Sequence, residues 1–438
     1  MAFTFIGGIH PKENKNTRHL KISRMDPVQT VSIPLSQHIG APCRALVKPG
    51  DTVTKGQIIG DVDGALGVPV HSSVSGVVKQ IVSKRTPDDR LIENIVIEND
   101  FLDTLCPDIV PITKTIKELT TEEIVEAVRK AGISGMGGAT FPTYAKISSA
   151  AGKIHTMIIN CCECEPYICA NHRLMLENPK GIIGGAVILM KALGLRSCDI
   201  AIEDNKMDAV CVMEEEIKDK DPSMFNIKIM KTKYPQGDER QLIYALKQVE
   251  IPAGKLPSDV GCIVFNAETC YSVYRALTEG MPLIERIVTV DGDCVARPKN
   301  VIAPIGASYS DLIDFCGGLR KVPKKIINGG PMMGAAQWDI NGSVTKGTSA
   351  VLVLSADDAA PYSSDGVCIH CGKCVSVCPM HLYPNYLAMF TRYDDFEECK
   401  NFDVMSCVEC GSCTYGCPGG VPIVQLIRSA KVRVRAMK

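Results

Sequence analysis

The sequence has no hydrophobic run long enough to cross a membrane, and it carries almost no net charge. Its most apolar stretch, GIIGGAVILMKALGL, contains Lys191 and is shorter than the roughly 20 residues that a spanning helix needs. The first residues, MAFTFIGGIHPKENKNTRHL, turn polar almost at once, so no signal peptide is expected. A formal net charge of −1 gives no field that would attract nucleic acid. We therefore expect no nucleic-acid partner and no transmembrane helix, and any membrane association through partner proteins.

Cysteine, in contrast, is abundant, with 21 residues in a chain of 438. The odd total, the lack of a secretion signal and the metal-type spacing of some cysteines indicate a reducing compartment rather than a disulfide framework. Eight cysteines fall in two motifs near the end of the chain. Most of the others are expected to be small buried hydrophobic residues.

The chain is too long for one ordinary core, and its 45% hydrophobic and 22% charged residues are typical of a globular protein. We predict a multidomain protein that mixes α/β and α+β units. The predicted units are residues 1–118, 119–283, 284–356 and 357–438.

Residues 30–100 contain short β-type runs broken by Gly and Pro. The segments VKPGDTVTKGQIIG and VHSSVSGVVKQI resemble the two halves of a biotinyl or lipoyl carrier domain, which is a barrel-sandwich hybrid. Such carriers have a lysine at the tip of the hairpin between the halves, and the tip DVDGALGVP has none. We therefore expect the fold to be kept as structure, without a swinging arm.

The middle of the chain changes character twice. Residues 119–283 alternate β and α segments, which predicts a Rossmann-like parallel sheet with helices on its faces. Residues 284–356 read β-β-α-β and predict a small β-grasp domain. In the last unit, PNYLAMFTRYDDFEECKNF is expected to be a helical connector, and the basic tail VPIVQLIRSAKVRVRAMK a helix that is either solvated or a docking element.

The two cysteine motifs, CIHCGKCVSVCPM and CVECGSCTYGCPGG, both read C-x₂-C-x₂-C-x₃-C-P. In ferredoxins with two clusters, the fourth cysteine of each motif ligates the other cluster. This spacing predicts one [4Fe–4S] cluster on Cys368, Cys371, Cys374 and Cys417, and a second on Cys407, Cys410, Cys413 and Cys378. The alternative, a zinc ribbon, needs two CxxC pairs rather than this doubled four-cysteine pattern. Cys399, between the motifs, is not expected to be a ligand.

A glycine-rich segment, GMGGATFP, lies between two helical stretches. Its glycines would let the backbone approach a phosphate or a flat ring. A simple turn at a helix end explains the segment equally well.

The glycine-rich segment is the first of four segments whose order is informative. SGMGGATFPTYAK, INCCECEP, GDER and FNAET occur in the order and spacing found in the FMN- and NADH-binding subunit of respiratory complex I. Together with GGIHP near the start, the carrier-like unit, the β-grasp unit and the two ferredoxin motifs, the arrangement resembles the C subunit of the Rnf electron-transport complexes over nearly the whole chain. The family's β-grasp domain is of the soluble-ligand-binding (SLBB) type.

The resemblance implies a set of cofactor-binding residues. They are Gly135, Gly137, Gly138 and Lys146 around FMN; Asn160, Glu163 and Glu165 lining the flavin and nicotinamide pocket; Gly237, Asp238 and Glu239 contacting NADH; and Asn266, Glu268 and Thr269 completing the FMN site. The chain departs from the pattern at Asp238, where the family has Glu. It also has Cys161, Cys162 and Cys164 where the family has small or acidic residues, and these thiols either bind metal or are simply buried.

The implied function is electron exchange between NADH and ferredoxin through FMN and two [4Fe–4S] clusters, because a flavin connects two-electron hydride transfer to one-electron carriers. The resemblance implies a peripheral subunit on the cytoplasmic side of a prokaryotic cell membrane. Its partners would be membrane subunits and an iron–sulfur subunit, and the whole complex would translocate ions. Two alternatives remain: a free-standing reductase, of the cobalamin-reductase or proline-reductase electron-donor type, and a ferredoxin-like adaptor without flavin.

Overall fold

A computed structural model describes residues 2–359 and 366–437. Residues 360–365 of the predicted fourth unit, and the basic Lys438 of the tail, lie outside the described residues. No helix in the described part of the chain has both the length and the apolar character required to traverse a bilayer.

Two small antiparallel sheets form the first unit, and their facing sides bury a shared core that includes Val31, Ile33, Ile59, Ile95 and Ile97. One sheet has the order β2-β8-β7-β4, the other β3-β5-β6. The strands of this part of the chain are β1 Ser23–Arg24, β2 Thr30–Pro34, β3 Arg44–Ala45, β4 Thr52–Val53, β5 Ile58–Asp61, β6 Val70–His71, β7 Gly76–Arg85 and β8 Leu91–Asn99. In the second half of β8, buried and partly buried residues alternate, as expected for a strand with one face on a core.

The second unit is the predicted parallel sheet, with strand order β11-β10-β9-β12. Its strands are β9 Thr156–Asn160, β10 Cys198–Glu203, β11 Phe225–Met230 and β12 Cys262–Asn266. Its helices are α1 Thr121–Lys130, α2 Thr143–Ala150, α3 Ala170–Glu177, α4 Pro179–Leu193, α5 Met207–Ile217, α6 Glu239–Lys247 and α7 Ala267–Thr278, with a 3₁₀ turn at Pro257–Val260. Because the order reverses at β9, the gap between the carboxyl ends of β9 and β12 is the switch point at which ligands bind in such sheets.

The third unit is a mixed six-stranded sheet with the order β1-β14-β13-β17-β15-β16. Its elements are β13 Glu285–Asp291, β14 Lys299–Pro304, α8 Tyr309–Phe315, β15 Lys325–Asn328, β16 Ala335–Gln337 and β17 Ala350–Leu354. Strand β1, from the first predicted unit, pairs in parallel with β14 and so belongs to this sheet.

The last unit is helical and has its own hydrophobic core, which includes Leu387, Cys399, Val404 and Ile427. Its helices are α9 Lys373–Ser376, α10 Pro384–Arg392, α11 Phe396–Asn401, α12 Ser412–Tyr415 and α13 Ile423–Ala436, with a 3₁₀ turn at Val404–Ser406. The expected helical connector is therefore two helices. The chain breaks at Asp394, which has a φ of +55°, and Asp395 then caps α11.

The first 22 residues of the first predicted unit lie outside its two small sheets. Phe3 bridges Met230 at the edge of the parallel sheet, and Ile9 pairs with Tyr234. The amide of Gly8 donates to the carbonyl of Val377 at 2.9 Å. This N-terminal segment therefore lies between the α/β unit and the helical C-terminal unit, and it contacts both.

Candidate functional site

The glycine-rich loop connects α1 to α2 at the switch-point side of the sheet. Its ends are closed by a bridge between Ser134 and Pro142 and by the amide of Gly135, which donates to the carbonyl of Phe141 at 2.9 Å. A methyl group added at Gly138 would meet no atom within 4 Å, so this part of the loop has open space beside its backbone. The loop therefore has the room and the uncovered backbone that a phosphate or ring would need.

The loop is held against the start of α7. The amide of Met136 donates to Oγ1 of Thr269 at 3.2 Å, and Thr269 is buried. A methyl group added at Gly137 would lie 2.8 Å from Nδ2 of Asn266, so only glycine fits this approach without displacing the asparagine. Gly137, Asn266 and Thr269, predicted separately from sequence, are thus brought together at one place.

Asn160 and Asn266 are the last residues of β9 and β12 and are directly paired in the sheet register. The Asn160 side chain donates to the carbonyl of Gly237 at 2.8 Å and accepts from the amide of Cys162 at 3.0 Å. Asn266 accepts from the amide of Glu268 at 2.9 Å and so caps α7. Asn160 thus joins the switch point to the predicted NADH segment.

The NADH segment begins α6. Asp238 caps this helix by accepting from the amides of Arg240 and Gln241 at 3.0 and 3.2 Å, and burial raises the pKa of Asp238 to about 6. The next residue, Glu239, is partly exposed, and its carboxylate lies 3.4 Å from Nζ of Lys146 on α2. Lys146 and Glu239 therefore meet at the solvent side of the site, as a pair that is accessible to a charged ligand.

Three carboxylates predicted in the pocket have other partners. Glu163 accepts from the amides of Asn171 and His172, at 2.8 and 3.3 Å, at the start of α3. Both oxygens of Glu165 accept from the amides of Met332 and Met333, at 3.1 and 2.9 Å, in the turn before β16. These two glutamates hold the chain around the site, and their carboxylates are occupied by backbone amides.

Glu268 is the third. Its oxygens pair with the buried guanidinium of Arg286 at 2.9 and 2.8 Å, and one also accepts from the amide of Ile287 at 3.0 Å. The resemblance implied a contact between Glu268 and FMN, and in the structure the carboxylate binds Arg286. A buried arginine needs a fixed counter-charge, and this glutamate supplies it.

Sequence reasoning did not single out Lys346 or Gln236. Lys346 is fully buried and donates to the carbonyls of Pro69 and Gly132, both at 2.7 Å, which ties the start of the glycine loop to the barrel-sandwich unit; burial lowers its pKa to about 7. The buried side-chain amide group of Gln236, beside Gly237, has no hydrogen-bond partner for its Nε2 or Oε1 in the part of the chain that is described. Lys346 is marked only by its tertiary contacts, whereas Gln236 directly precedes the GDER segment, and its burial could have been sought there.

The segments INCCECEP and YPQGDER lie against each other. The amide of Gly237 donates to Sγ of Cys164 at 3.3 Å. Burial raises the pKa of Cys161 to about 12, and it raises the pKa values of Cys162 and Cys164 well above the ordinary value of a thiol. Cys161 and Cys162 are buried and Cys164 is partly buried.

The two cysteine motifs form loops of the same shape, which we name the first cysteine loop (residues 366–374) and the second cysteine loop (residues 407–413). Left-handed φ values occur at the same two places in each, at His370 and Gly372 in one and at Glu409 and Gly411 in the other. A short helix follows each loop, α9 and α12 respectively. Such loops direct successive amides inward, which suits a negatively charged cluster.

The second predicted set of ligands surrounds one cavity. Cys378, Cys407, Cys410 and Cys413 all line it, with Met380, Val424 and Ile427 among the apolar neighbours. The amide of Glu409 donates to Sγ of Cys407 at 3.3 Å. Burial raises the pKa of Cys407 to about 11, and the nearby thiols Cys410 and Cys378 add to the rise. A set drawn from both motifs is therefore brought together, as the ferredoxin spacing predicts.

The first set is arranged more openly. Burial raises the pKa of Cys374, and its neighbours Cys417 and Cys368 add to the rise, so thiols from both motifs are again close. Cys368 and Cys371 are exposed. Across residues 2–359 and 366–437, no three His, Cys, Asp or Glu side chains are grouped as the ligands of a single metal ion. The thiol chemistry of both sets, and the grouping of the second set around one cavity, fit iron–sulfur clusters.

A small apolar contact connects the flavin-type unit to the second cysteine loop. Ile9, Tyr234 and Cys410 form its buried centre, with Cys164 and Met332 packed around them. The hydroxyl of Tyr234 donates to the carbonyl of Cys410 at 2.7 Å. The tyrosine is fully buried and lies three residues before Gly237, so it links the NADH segment to a predicted cluster ligand.

Four family models match the chain in the predicted order. They are the RnfC barrel sandwich hybrid domain over residues 3–102, the Nuo51 FMN-binding domain over 128–275, the SLBB domain over 287–336 and a 4Fe-4S dicluster domain over 367–421. Fold and sites together define an oxidoreductase component that combines an FMN-binding domain with an iron–sulfur dicluster domain.

Similar proteins define the class of oxidoreductase component more closely. The chain is 40% identical over 437 residues to the C subunit of the Na(+)-translocating ferredoxin:NAD(+) oxidoreductase complex of Acetobacterium woodii, covering 99% of this chain and 98% of that protein. It is 40% identical over 402 residues to the proton-translocating counterpart of Clostridium ljungdahlii, covering 91% and 87%. The chain belongs to the RnfC family, the C subunits of the Rnf-type ion-translocating oxidoreductase complexes.

Other relatives are longer or more distant. The C subunit of the ion-translocating oxidoreductase complex of Vibrio cholerae is 37% identical over 411 residues, which are 91% of this chain and 52% of that protein. A chain of an NAD+-reducing [NiFe]-hydrogenase in the H2-reduced state has a related fold, with a TM-score of 0.52 and 19% identity over 75% of this chain and 64% of that one. The four-part fold and the cofactor classes predicted from sequence are thus confirmed; the exact boundaries and the residue roles stay predictions.

Proposed function

We propose that this chain is the peripheral subunit through which an Rnf-type complex exchanges electrons between NADH and ferredoxin, using FMN and two [4Fe–4S] clusters. The observation that carries the proposal is the hydrogen bond from Tyr234 to the carbonyl of Cys410 at 2.7 Å. It brings the NADH segment and one cluster-ligand set into one buried contact. Such a contact is what a chain that passes electrons between the two sites requires.

The flavin site is assigned to the glycine loop and the switch point. The amides of Gly137 and Gly138, with the ammonium of Lys146, would hold the FMN phosphate and ring, and Gly135 would close the loop through its bond to Phe141. Asn160 and Asn266 would orient the flavin from the strand ends. A bound flavin supplies the conversion between paired and single electrons. Four further residues support the site through other protein groups. Three of them accept hydrogen bonds from backbone amides, and one pairs with the guanidinium of Arg286; they are Glu163, Glu165 and Thr269, and Glu268, respectively.

The nicotinamide site is assigned to the start of α6. Gly237 leaves room beside the carbonyl of Cys162, which a methyl group at this position would approach to 2.9 Å. Asp238 fixes the helix start, and Glu239 is accessible to the hydroxyl groups of a dinucleotide. The side chains here position the substrate, since hydride transfer needs no proton donor from the protein.

The clusters are assigned to the two thiol sets, Cys368, Cys371, Cys374 and Cys417, and Cys407, Cys410, Cys413 and Cys378. In the complex, the chain would lie on the cytoplasmic side of the cell membrane, bound to membrane subunits and an iron–sulfur subunit. Ion translocation belongs to the whole complex. The homology to components of such complexes supports this placement.

Metal and flavin analysis of the anaerobically purified full chain, with absorption spectra before and after NADH, tests the proposal. We expect about eight irons and one FMN per chain, with bleaching of both flavin and iron–sulfur bands by NADH. Iron without flavin would favour the adaptor, and zinc at the C-terminal cysteines would contradict the assignment. NADH-driven reduction of a corrinoid by the isolated chain would favour the free-standing reductase.

The NADH segment has its own test. Glu239→Ala should slow bleaching by NADH, because the variant lacks the accessible carboxylate at the start of α6, while iron and FMN contents stay unchanged. Glu250→Ala, at an exposed position beyond the same helix, is the matched control. Equal bleaching rates in both variants would remove Glu239 from the site.

A further inference from the structure

We propose that the first cysteine loop is the surface at which this chain exchanges single electrons with a separate redox protein whose contact face is acidic. The inference rests on the proposed function, because it takes the loop's cysteines as cluster ligands. It adds the place of contact and the chemistry of the partner, and it rests on exposure, charge and the contrast with the second cysteine loop.

The first loop exposes two large apolar side chains to solvent, which is unusual for residues of this type. Val367 and Ile369 are 68% and 63% exposed, and they flank the exposed Cys368. Cys371 is exposed as well. Large apolar side chains that project together beside metal ligands mark an interaction site rather than ordinary surface. In the second loop, the residue that corresponds to Ile369 is Val408, which packs against the flavin-type unit.

The charged side chains of the segments that form and flank the first loop, from residue 366 onward, are basic. Residues 366–393 and 410–427, which include the loop, α9, α10 and α12, contain no Asp or Glu. Lys373 and His370 are exposed, and the guanidinium of Arg392 donates to the carbonyl of Gly366 at 2.8 Å. The nearest acid along the chain, Asp365, lies outside the described residues. A face with exposed cations and apolar groups is complementary to an apolar contact with an acidic rim.

The second loop shows that this charge is not a property of the motif. It contains Glu409, whose carboxylate pairs with Lys431 at 2.5 Å and with Arg428 at 3.0 Å. The basic residues of α13 are thus partly used to neutralise that loop. The first loop has no such acid among its described residues, and its exposed Lys373 is left for a partner.

The partner that binds the first cysteine loop must contain a redox centre. A partner without a redox centre, bound over the exposed residues Cys368 and Cys371, would separate them from any electron acceptor. The second thiol set already lies against the flavin-type unit. In the exchange, this chain is oxidised by one electron and the partner is reduced by one. No bond forms or breaks, and NADH is the source of the electrons.

Photo-crosslinking in the intact complex tests the contact. A photoreactive residue is placed at position 369 or, as control, at position 432, where Val432 is equally exposed at 63% on α13. We expect position 369 to crosslink to a subunit that contains a redox centre, and position 432 to give no crosslink to that subunit. A crosslink from 369 only to a subunit without a redox centre, or to none, would overturn the proposal.

Association provides the second measurement. Retention of the chain on the remaining subunits should fall at least about tenfold for the double variant Val367→Asp/Ile369→Asp and measurably for Lys373→Glu. Val432→Asp and Lys400→Glu are the matched controls. Retention of wild type should also fall between about 50 and 500 mM salt. Salt-independent retention, or unchanged retention of iron-loaded variants, contradicts the inference.

Failure of the proposed function and failure of the docking surface give different results. Iron content and bleaching by NADH are measured on every isolated chain before the association assay. If wild type lacks iron or does not bleach, the proposed function fails. If wild type bleaches and the loop variants still associate and crosslink as wild type does, only the docking surface is wrong. If a loop variant loses iron, its retention is not used, and the crosslink and the salt dependence of the wild-type chain decide whether the docking surface is correct.

Discussion

The two cysteine loops have nearly the same sequence pattern and the same backbone shape, but different surroundings. Left-handed residues occur at corresponding positions in both, at Gly372 in the first and Gly411 in the second. A methyl group at Gly372 would meet nothing within 4 Å, whereas one at Gly411 would lie 3.1 Å from the carbonyl of Met332. The motif therefore fixes the local geometry of the ligands, and the rest of the chain decides what each loop faces.

The second loop is enclosed by three parts of the molecule. Tyr234 contacts it from the α/β unit, Met332 from the β-grasp unit and Ile9 from the N-terminal segment. A methyl group added at Gly7 would lie 2.7 Å from the carbonyl of Cys378, a predicted ligand of the same set. These contacts make the second loop the internal side of the proposed relay, and they leave the first loop to the outside.

Replacing one predicted cluster ligand in each loop should give the largest difference between the two loops. Cys410→Ser and Cys371→Ser should each lower the iron content by about half. Cys371→Ser should keep NADH-dependent bleaching of the remaining iron–sulfur bands, because the internal set is intact. Cys410→Ser should slow it at least about tenfold, because the set next to the flavin-type unit is lost. Stopped-flow absorption on anaerobic protein measures both; equal bleaching rates would contradict the assignment of sides.

The turn beneath the second loop should depend on pH. Burial raises the pKa of Glu165, which binds this turn, to about 7 from an ordinary value of 4.5. The folded state therefore binds more protons than the unfolded state between these values, and stability falls as pH rises through this window. Relative to wild type, Glu165→Gln should gain up to about 3 kcal/mol between pH 5 and pH 8. Thermal melting at both pH values measures this, and a constant difference would count against it.

Glycine replacement compares the loops directly. Gly372→Ala and Gly411→Ala both place a side chain at a left-handed φ, at a cost of about 1 kcal/mol each. Gly411→Ala should cost about 1–2 kcal/mol more, because the carbonyl of Met332 must move. Apparent melting temperatures of the loaded proteins test this, with Gly372→Ala as the control. Equal costs would mean that the second loop is not confined.

The smallest effect concerns one hydroxyl group. Tyr234→Phe removes the hydrogen bond to the carbonyl of Cys410 and should lower stability by about 1 kcal/mol. Tyr415→Phe, in the helix after the second loop, is the control, because Tyr415 is 56% exposed. Differential scanning calorimetry should separate the two variants. Identical transitions would show that the contact at Tyr234 contributes nothing.

Much of this arrangement could be predicted from local sequence. The alternation of strands and helices predicted the parallel sheet, and cysteine spacing predicted the pairing of Cys378 with the second loop. Strand-end asparagines, Asn160 and Asn266, proved to be neighbours because parallel strands end at one edge of a sheet. These features depend on short-range patterns or on topology that the pattern determines.

What could not be predicted depends on contacts between distant segments. Glu163, Glu165 and Glu268 fall in motif positions, but their partners are amides and a guanidinium elsewhere in the chain. The contact of the N-terminal segment with the C-terminal unit, where the amide of Gly8 donates to the carbonyl of Val377, has no local sequence signal either. The exposure of Ile369 is likewise invisible in the sequence, since Val408 occupies the same place in the second motif and is covered.

The most direct test of the two-sided arrangement is the order in which the ligands become accessible. The loaded full chain is treated anaerobically with an iron chelator and an alkylating reagent, and each cysteine is followed by mass spectrometry over time. We predict that Cys368 and Cys371 are labelled well before Cys407 and Cys410. Labelling of the second loop first, or of all four cysteines at the same rate, would contradict the account.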